Sequence, residues 1–96
     1  MRLELTALAA SDYDNIIDHS LAEFGNVAAL AYVDAVEAAF RQLTEYPLSG
    51  RAETSLHPDA RSVGCQSHRI YYSLDDQQIV IRRILHKSMD ARNWLG

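Results

Sequence analysis

Between Arg2 and Thr6 polar and apolar residues alternate, with Leu3 and Leu5 on one side, the period of a short strand. Beyond Ser11 the period lengthens. Tyr13, Ile16, Ile17, Leu21 and Phe24 recur at helical spacing, while Asp12, Asp14, Asp18 and Glu23 take the other side. Ser11 is suited to cap this helix, with Asp14 three positions on as a weaker capping-box partner than Glu. Gly25 stops it in the manner of a left-handed C-terminal residue, and Asn26 can cap a second helix. That helix runs from about Val27 to Glu45 on a stripe of Leu30, Val33, Val36, Phe40 and Leu43, and Pro47 ends it. So short a connection predicts an antiparallel helical hairpin whose apolar stripes need a further surface to cover them. Ala28, Ala29, Ala31, Ala35, Ala38 and Ala39 raise helix propensity and also allow either close packing or an apolar groove for a partner.

Leu48 to Pro58 has no period and reads as a loop, and Ala60 to Gln66 is a weaker strand in which Gly64 marks a bulge or a close approach. From Ser67 to His86, two runs rich in Ile, Val and Tyr flank a polar cluster, the signature of a β-hairpin turning within Asp75 to Gln78. Strict alternation puts Ile70, Tyr72, Leu74, Ile79, Ile81 and Leu85 on one face with Arg83. It puts Arg69, Tyr71, Ser73, Val80, Arg82, Ile84 and His86 on the other. The first face is core and supplies the surface the helices need; the second is basic and rich in hydrogen-bonding groups. The tail, Lys87 to Gly96, includes Met89, Trp94 and Leu95 and is too apolar to be wholly solvated, so it either folds back or makes contacts elsewhere. The predicted order is β-α-α-β-β-β, an α+β domain spanning residues 1–96 with a helical hairpin on one face of a small, mostly antiparallel sheet.

Ninety-six residues build a single core that buries roughly 60 to 65% of the surface of the unfolded chain. No window approaches the roughly 20 apolar residues that cross a bilayer, and the expectation is a cytoplasmic protein that does not bind membranes. The lone Cys65 reads as a small buried hydrophobe, and no His, Cys or carboxylate spacing suggests a metal or other cofactor. A net charge of −4 argues against binding nucleic acid mainly through phosphates, and no sequence-specific nucleic-acid contact is expected. The charge is uneven, however: residues 1–48 hold eight acidic and two basic residues, and residues 49–96 hold five acidic and seven basic ones. Six of those seven cations are Arg, which suits fixed, bidentate contacts with carboxylate or phosphate.

The pattern Pro47-x-x-Gly50-Arg51, Arg61-Ser62, His68-Arg69-Ile70-Tyr71-Tyr72, Arg83-Ile84-Leu85-His86 and Met89-Asp90 resembles the ParE toxins of bacterial and plasmid-borne toxin-antitoxin systems, within the RelE/ParE superfamily. The likeness covers nearly the whole chain, including the order of its elements. It implies a toxin that poisons DNA gyrase by protein-protein binding and is silenced by a ParD-type antitoxin in a hetero-oligomer. A closer likeness to RelE would instead imply a ribosome-dependent mRNA endonuclease, and a third reading is an antitoxin-binding module without toxicity.

RNA cleavage through a 2′-hydroxyl needs a base, an acid and cations on the phosphate. Arg69 and Arg82 could hold phosphate, Tyr71 could donate a hydrogen bond and His86 could shuttle a proton. However, no lysine precedes Lys87, and Glu53 is the middle-loop carboxylate available as a base. Binding is therefore the preferred reading, with no catalytic residues assigned. The expected contacts to antitoxin or target are Arg69, Tyr71, Arg82, His86, Met89 and Trp94. An acidic and apolar antitoxin tail would cover the arginine-bearing face and the groove beside the helices.

Overall fold

The computed structural model describes residues 1–93; the expected contact residue Trp94 lies outside the described residues. The elements are β1 (Arg2–Leu5), α1 (Ala7–Phe24), α2 (Asn26–Glu45), β2 (Arg51–Ala52), β3 (Ala60–Cys65), β4 (His68–Asp75), β5 (Gln78–His86) and a 3-10 turn at Ala91–Asn93. The sheet order is β1-β5-β4-β3-β2, with β1 parallel to β5 and the other neighbours antiparallel. The predicted α+β order is thus present, with one short addition: β2 forms inside the expected loop by pairing Arg51 with Ser62 and Ala52 with Arg61.

Helix α1 begins at Thr6 rather than Ser11. The Thr6 hydroxyl accepts the Ala9 N–H at 3.1 Å and donates to the Arg82 carbonyl at 3.0 Å, so one residue caps the helix and ties it to β5. Ala7 to Ala10 are good helix formers and extend the helix back to the strand end. Gly25 joins the helices at φ 89°, where a side chain would be strained; Asn26 is the first residue of α2 rather than its cap.

Ala9, Val36, Phe40 and Leu43 pack against Ile70, Tyr72, Ile79, Ile81 and Ile84, with Leu3, Leu5, Tyr13 and Ile16 at the margin. Both helices therefore cover one sheet face. The apolar stripes overrun this core, because Leu21, Phe24 and Leu30, expected on the buried side, are exposed, and the small Ser20 and Ala29 are the buried residues near that end.

The largest departure is in the hairpin. The turn falls as expected, with Leu74 opposite Ile79 and Tyr72 opposite Ile81, but Tyr71 pairs with Arg83, leaving Arg82 as an extra residue on β5. This bulge shifts the alternation of every later residue on β5. Ile84, assigned to the polar face, enters the core opposite Ile70, while Arg83 and Leu85, assigned to the core face, pair with Tyr71 and Arg69 instead. His86 moves as well: it pairs with His68 on the helix side of the sheet.

Asp12 holds the bulge in place. Its Oδ2 accepts Arg83 Nε at 2.8 Å and the Ile84 N–H at 3.0 Å, and its Oδ1 accepts Arg83 Nη2 at 2.9 Å. The carboxylate thus supplies the partner that β1, which pairs only as far as Ile81, does not offer to the rest of the β5 edge.

Candidate partner-binding face

On the sheet face away from the helices, Gly64, Ser62 and Ala60 of β3 lie opposite Arg69, Tyr71 and Ser73 of β4. Arg82 joins them by continuing the alternation from Val80, which pairs with Ser73, and its Nε donates to Ser73 Oγ at 3.0 Å. Arg69, Tyr71 and Arg82 are therefore brought onto one surface, as the sequence predicts. His86 is not part of it. Its Nδ1 accepts the Ser88 N–H at 3.1 Å, and its ring meets His68 edge-on at 5.4 Å, while His68 Nδ1 bonds the Tyr32 hydroxyl. Met89 is partly exposed in the turn after β5.

The two arginines of this face are in different electrostatic states. Arg69 Nε donates to the fully buried Ser62 Oγ at 2.8 Å; Ser62 donates in turn to Glu53 Oε2 at 2.8 Å, which also takes Arg51 Nη2 at 3.1 Å. Burial opposes ionisation of Glu53, but the Ser62 and Arg51 hydrogen bonds and the nearby Arg51 and Arg69 charges outweigh it and hold the carboxyl below the usual range. Arg69 is thus linked to a carboxylate through Ser62, although the ion pair of Glu53 is with Arg51. The Arg69 guanidinium lies over Gly64, where a Cβ would meet its Nη1 at 3.4 Å, an ordinary contact. Arg82, by contrast, is exposed and bonded to a neutral hydroxyl, with no carboxylate paired to it among the described residues.

Arg82 stands at a cavity of about 550 Å³ whose walls include Leu56, His57, Asp59, Tyr71 and Ser73. Tyr71, expected to be the more available of the two tyrosines, is only 8% exposed. Burial first, and then the Glu53 charge, raise its phenol above the ordinary value despite Arg69 and Arg51, so it stays a neutral hydrogen-bond donor. Sequence reasoning missed His57, which reaches the cavity from the loop between β2 and β3, where its Nδ1 accepts the Asp59 N–H at 3.1 Å. Neither period nor spacing marks it. The surface offers an accessible guanidinium beside apolar wall, which suits a carboxylate carried on an apolar segment. Among the described residues no group of three or more His, Cys, Asp or Glu could hold a metal ion.

A two-helix layer on one face of a five-stranded sheet is a fold this chain shares with solved chains of toxin-antitoxin systems. The family described as ParE toxin of type II toxin-antitoxin system, parDE, matches residues 3–91, and the chain belongs to that family. It is 30% identical to Toxin ParE1 of Caulobacter vibrioides over 96% of this chain and 95% of the relative. It is 27% identical to Toxin ParE3 of the same organism over 99% and 95% of the two chains. Among solved structures, a chain of the chromosomal ParDE system from P. aeruginosa superposes with a TM-score of 0.76 at 26% identity, covering 90% of this chain and 95% of the other. A chain of the RelBE2 toxin-antitoxin complex from Mycobacterium tuberculosis superposes with a TM-score of 0.59 at 25% identity, covering 90% and 96%.

Proposed function

We propose that this ParE-family toxin acts by binding DNA gyrase in the cytoplasm rather than by catalysis, and that a ParD-type antitoxin silences it by placing an acidic, apolar segment over the cavity beside Arg82. The observation that carries this reading is the contrast between the two arginines. Arg69 is linked to Glu53 through Ser62, whereas Arg82, bonded to the Ser73 hydroxyl, lines the cavity with Tyr71 and Leu56. The likeness to a chain of a ParDE system supports the choice of antitoxin, and membership of the ParE family supports gyrase as the target. Against the endonuclease alternative stands the position of His86, the proton carrier expected for it, which pairs with His68 on the helix side.

Purified chain should inhibit gyrase supercoiling, lose that inhibition when a cognate ParD-type antitoxin is added, and leave mRNA on programmed ribosomes uncut. Arg82→Ala should weaken antitoxin binding by about tenfold or more, the usual scale for removing one partner of a desolvated charge pair. Transcript cleavage abolished by Arg82→Ala or His57→Ala would overturn the proposal, as would unchanged antitoxin affinity in Arg82→Ala.

A further inference from the structure

The tip of the helical hairpin carries an apolar patch that the sheet does not cover. Leu21 and Phe24, in the last turn of α1, are 42% and 71% exposed, and Val27 and Leu30, in the first turns of α2, are 83% and 65% exposed. Gly25 alone connects the helices, so no loop shields these side chains and the patch is continuous in sequence across the turn. An edge contact with His19, centroids 6.5 Å apart, holds the Phe24 ring. Four large apolar side chains gathered at one end of a charged molecule mark a contact surface rather than scattered exposure.

Charge decides what fits there. Residues 3–40 contain seven acidic residues and no Lys or Arg, and Asp18, Glu23 and Asp34 are exposed within a turn of the patch. An acidic segment of the kind that suits Arg82 would be repelled here. A second copy of the chain meeting patch to patch would set acid against acid. Two helices present no strand edge to extend, so a partner strand could not add to them and recognition runs mainly from side chain to side chain. We infer that the hairpin tip is a second docking surface, separate from the arginine face, for a basic amphipathic helix of another protein, with its apolar side on Phe24, Val27 and Leu30 and its cations beside Glu23 and Asp34. The chain then carries two surfaces of opposite chemistry.

The test does not depend on which enzyme the toxin poisons. A fluorescent Leu/Lys amphipathic peptide of about 15 residues and its Leu/Glu counterpart, with the same apolar spacing, are titrated with the full chain at low and high salt, by anisotropy. The Leu/Lys peptide should bind at least about tenfold more tightly, and the difference should shrink with salt. Val27→Ser with Leu30→Ser should reduce that affinity about tenfold, and Glu23→Gln with Asp34→Asn severalfold, with melting curves unchanged because all four positions are exposed. Equal binding of the two peptides, or equal affinity in the Val27/Leu30 variant, overturns the inference. So does sedimentation showing that the chain dimerises and that the same double substitution abolishes the dimer.

Discussion

Asp12→Ala should be the most damaging single change outside the apolar core. The substitution removes the acceptor for two Arg83 hydrogen bonds, at 2.8 and 2.9 Å, and for the Ile84 N–H at 3.0 Å. The Arg83 and Asp12 side chains are only 13% and 14% exposed, so water replaces little of what is lost. Taking one partner from such a pair costs about 3 to 5 kcal/mol, and the remaining exposure argues for the lower end, about 3 kcal/mol. A domain of this size is stable by roughly 5 to 14 kcal/mol, and each kcal/mol moves its midpoint by about 4 to 8 °C, so Tm should fall by at least about 12 °C. Asp12→Asn, which can still accept from Ile84 but carries no charge, should lose about half as much. Urea unfolding followed by circular dichroism measures each variant, and the cycle closed by Arg83→Ala and the double variant isolates the pairing energy. A loss below about 0.5 kcal/mol for Asp12→Ala, the range of an exposed ion pair, would refute the argument that this carboxylate fastens the bulge.

Gly50→Ala should also be costly, because the new Cβ would sit 2.7 Å from Tyr72 Cε1 and 2.9 Å from the Ser62 carbonyl oxygen. Overpacking at this buried site, where the Gly50 N–H donates to the Tyr72 hydroxyl at 2.9 Å, predicts a loss of about 2 kcal/mol or more in a urea melt. Stability should fall with pH below the ordinary histidine range. Burial first, and then the charges of His86 and His19, lower the His68 pKa below 6.5, against an opposing pull from Asp12. The folded state therefore binds fewer protons than the unfolded state, so this contribution is complete above about 6.5 and is lost as pH falls through the lower folded value. Melting temperatures between pH 7.5 and 5.5 should drop in the native chain and drop less in His68→Gln; parallel curves would count against the assignment.

Periodicity was enough to locate both helices, four strands and the hairpin turn, because a face buried against a core must repeat at the spacing of its element. The resemblance of short motifs carried the family. The alternation rule failed at one residue, Arg82, since a bulge inserts a position without leaving any change of composition, and everything after it on β5 changed sides. That single shift separated His86 from Arg69 and Tyr71 and brought Ile84 into the core. The carboxylate that bonds the strand just past the bulge is Asp12, 72 positions before Ile84, which looked like one more acid on a solvated helix face. The start of α1 was misplaced for the same reason, because Thr6 caps while bonded to a strand that lies far along the chain. Residue types and local spacing carry information about surfaces that repeat. Which charges are linked to an acid, as Arg69 is to Glu53 through Ser62, and which meet only a neutral hydroxyl, as at Arg82, depends on contacts between distant segments that only the folded chain creates.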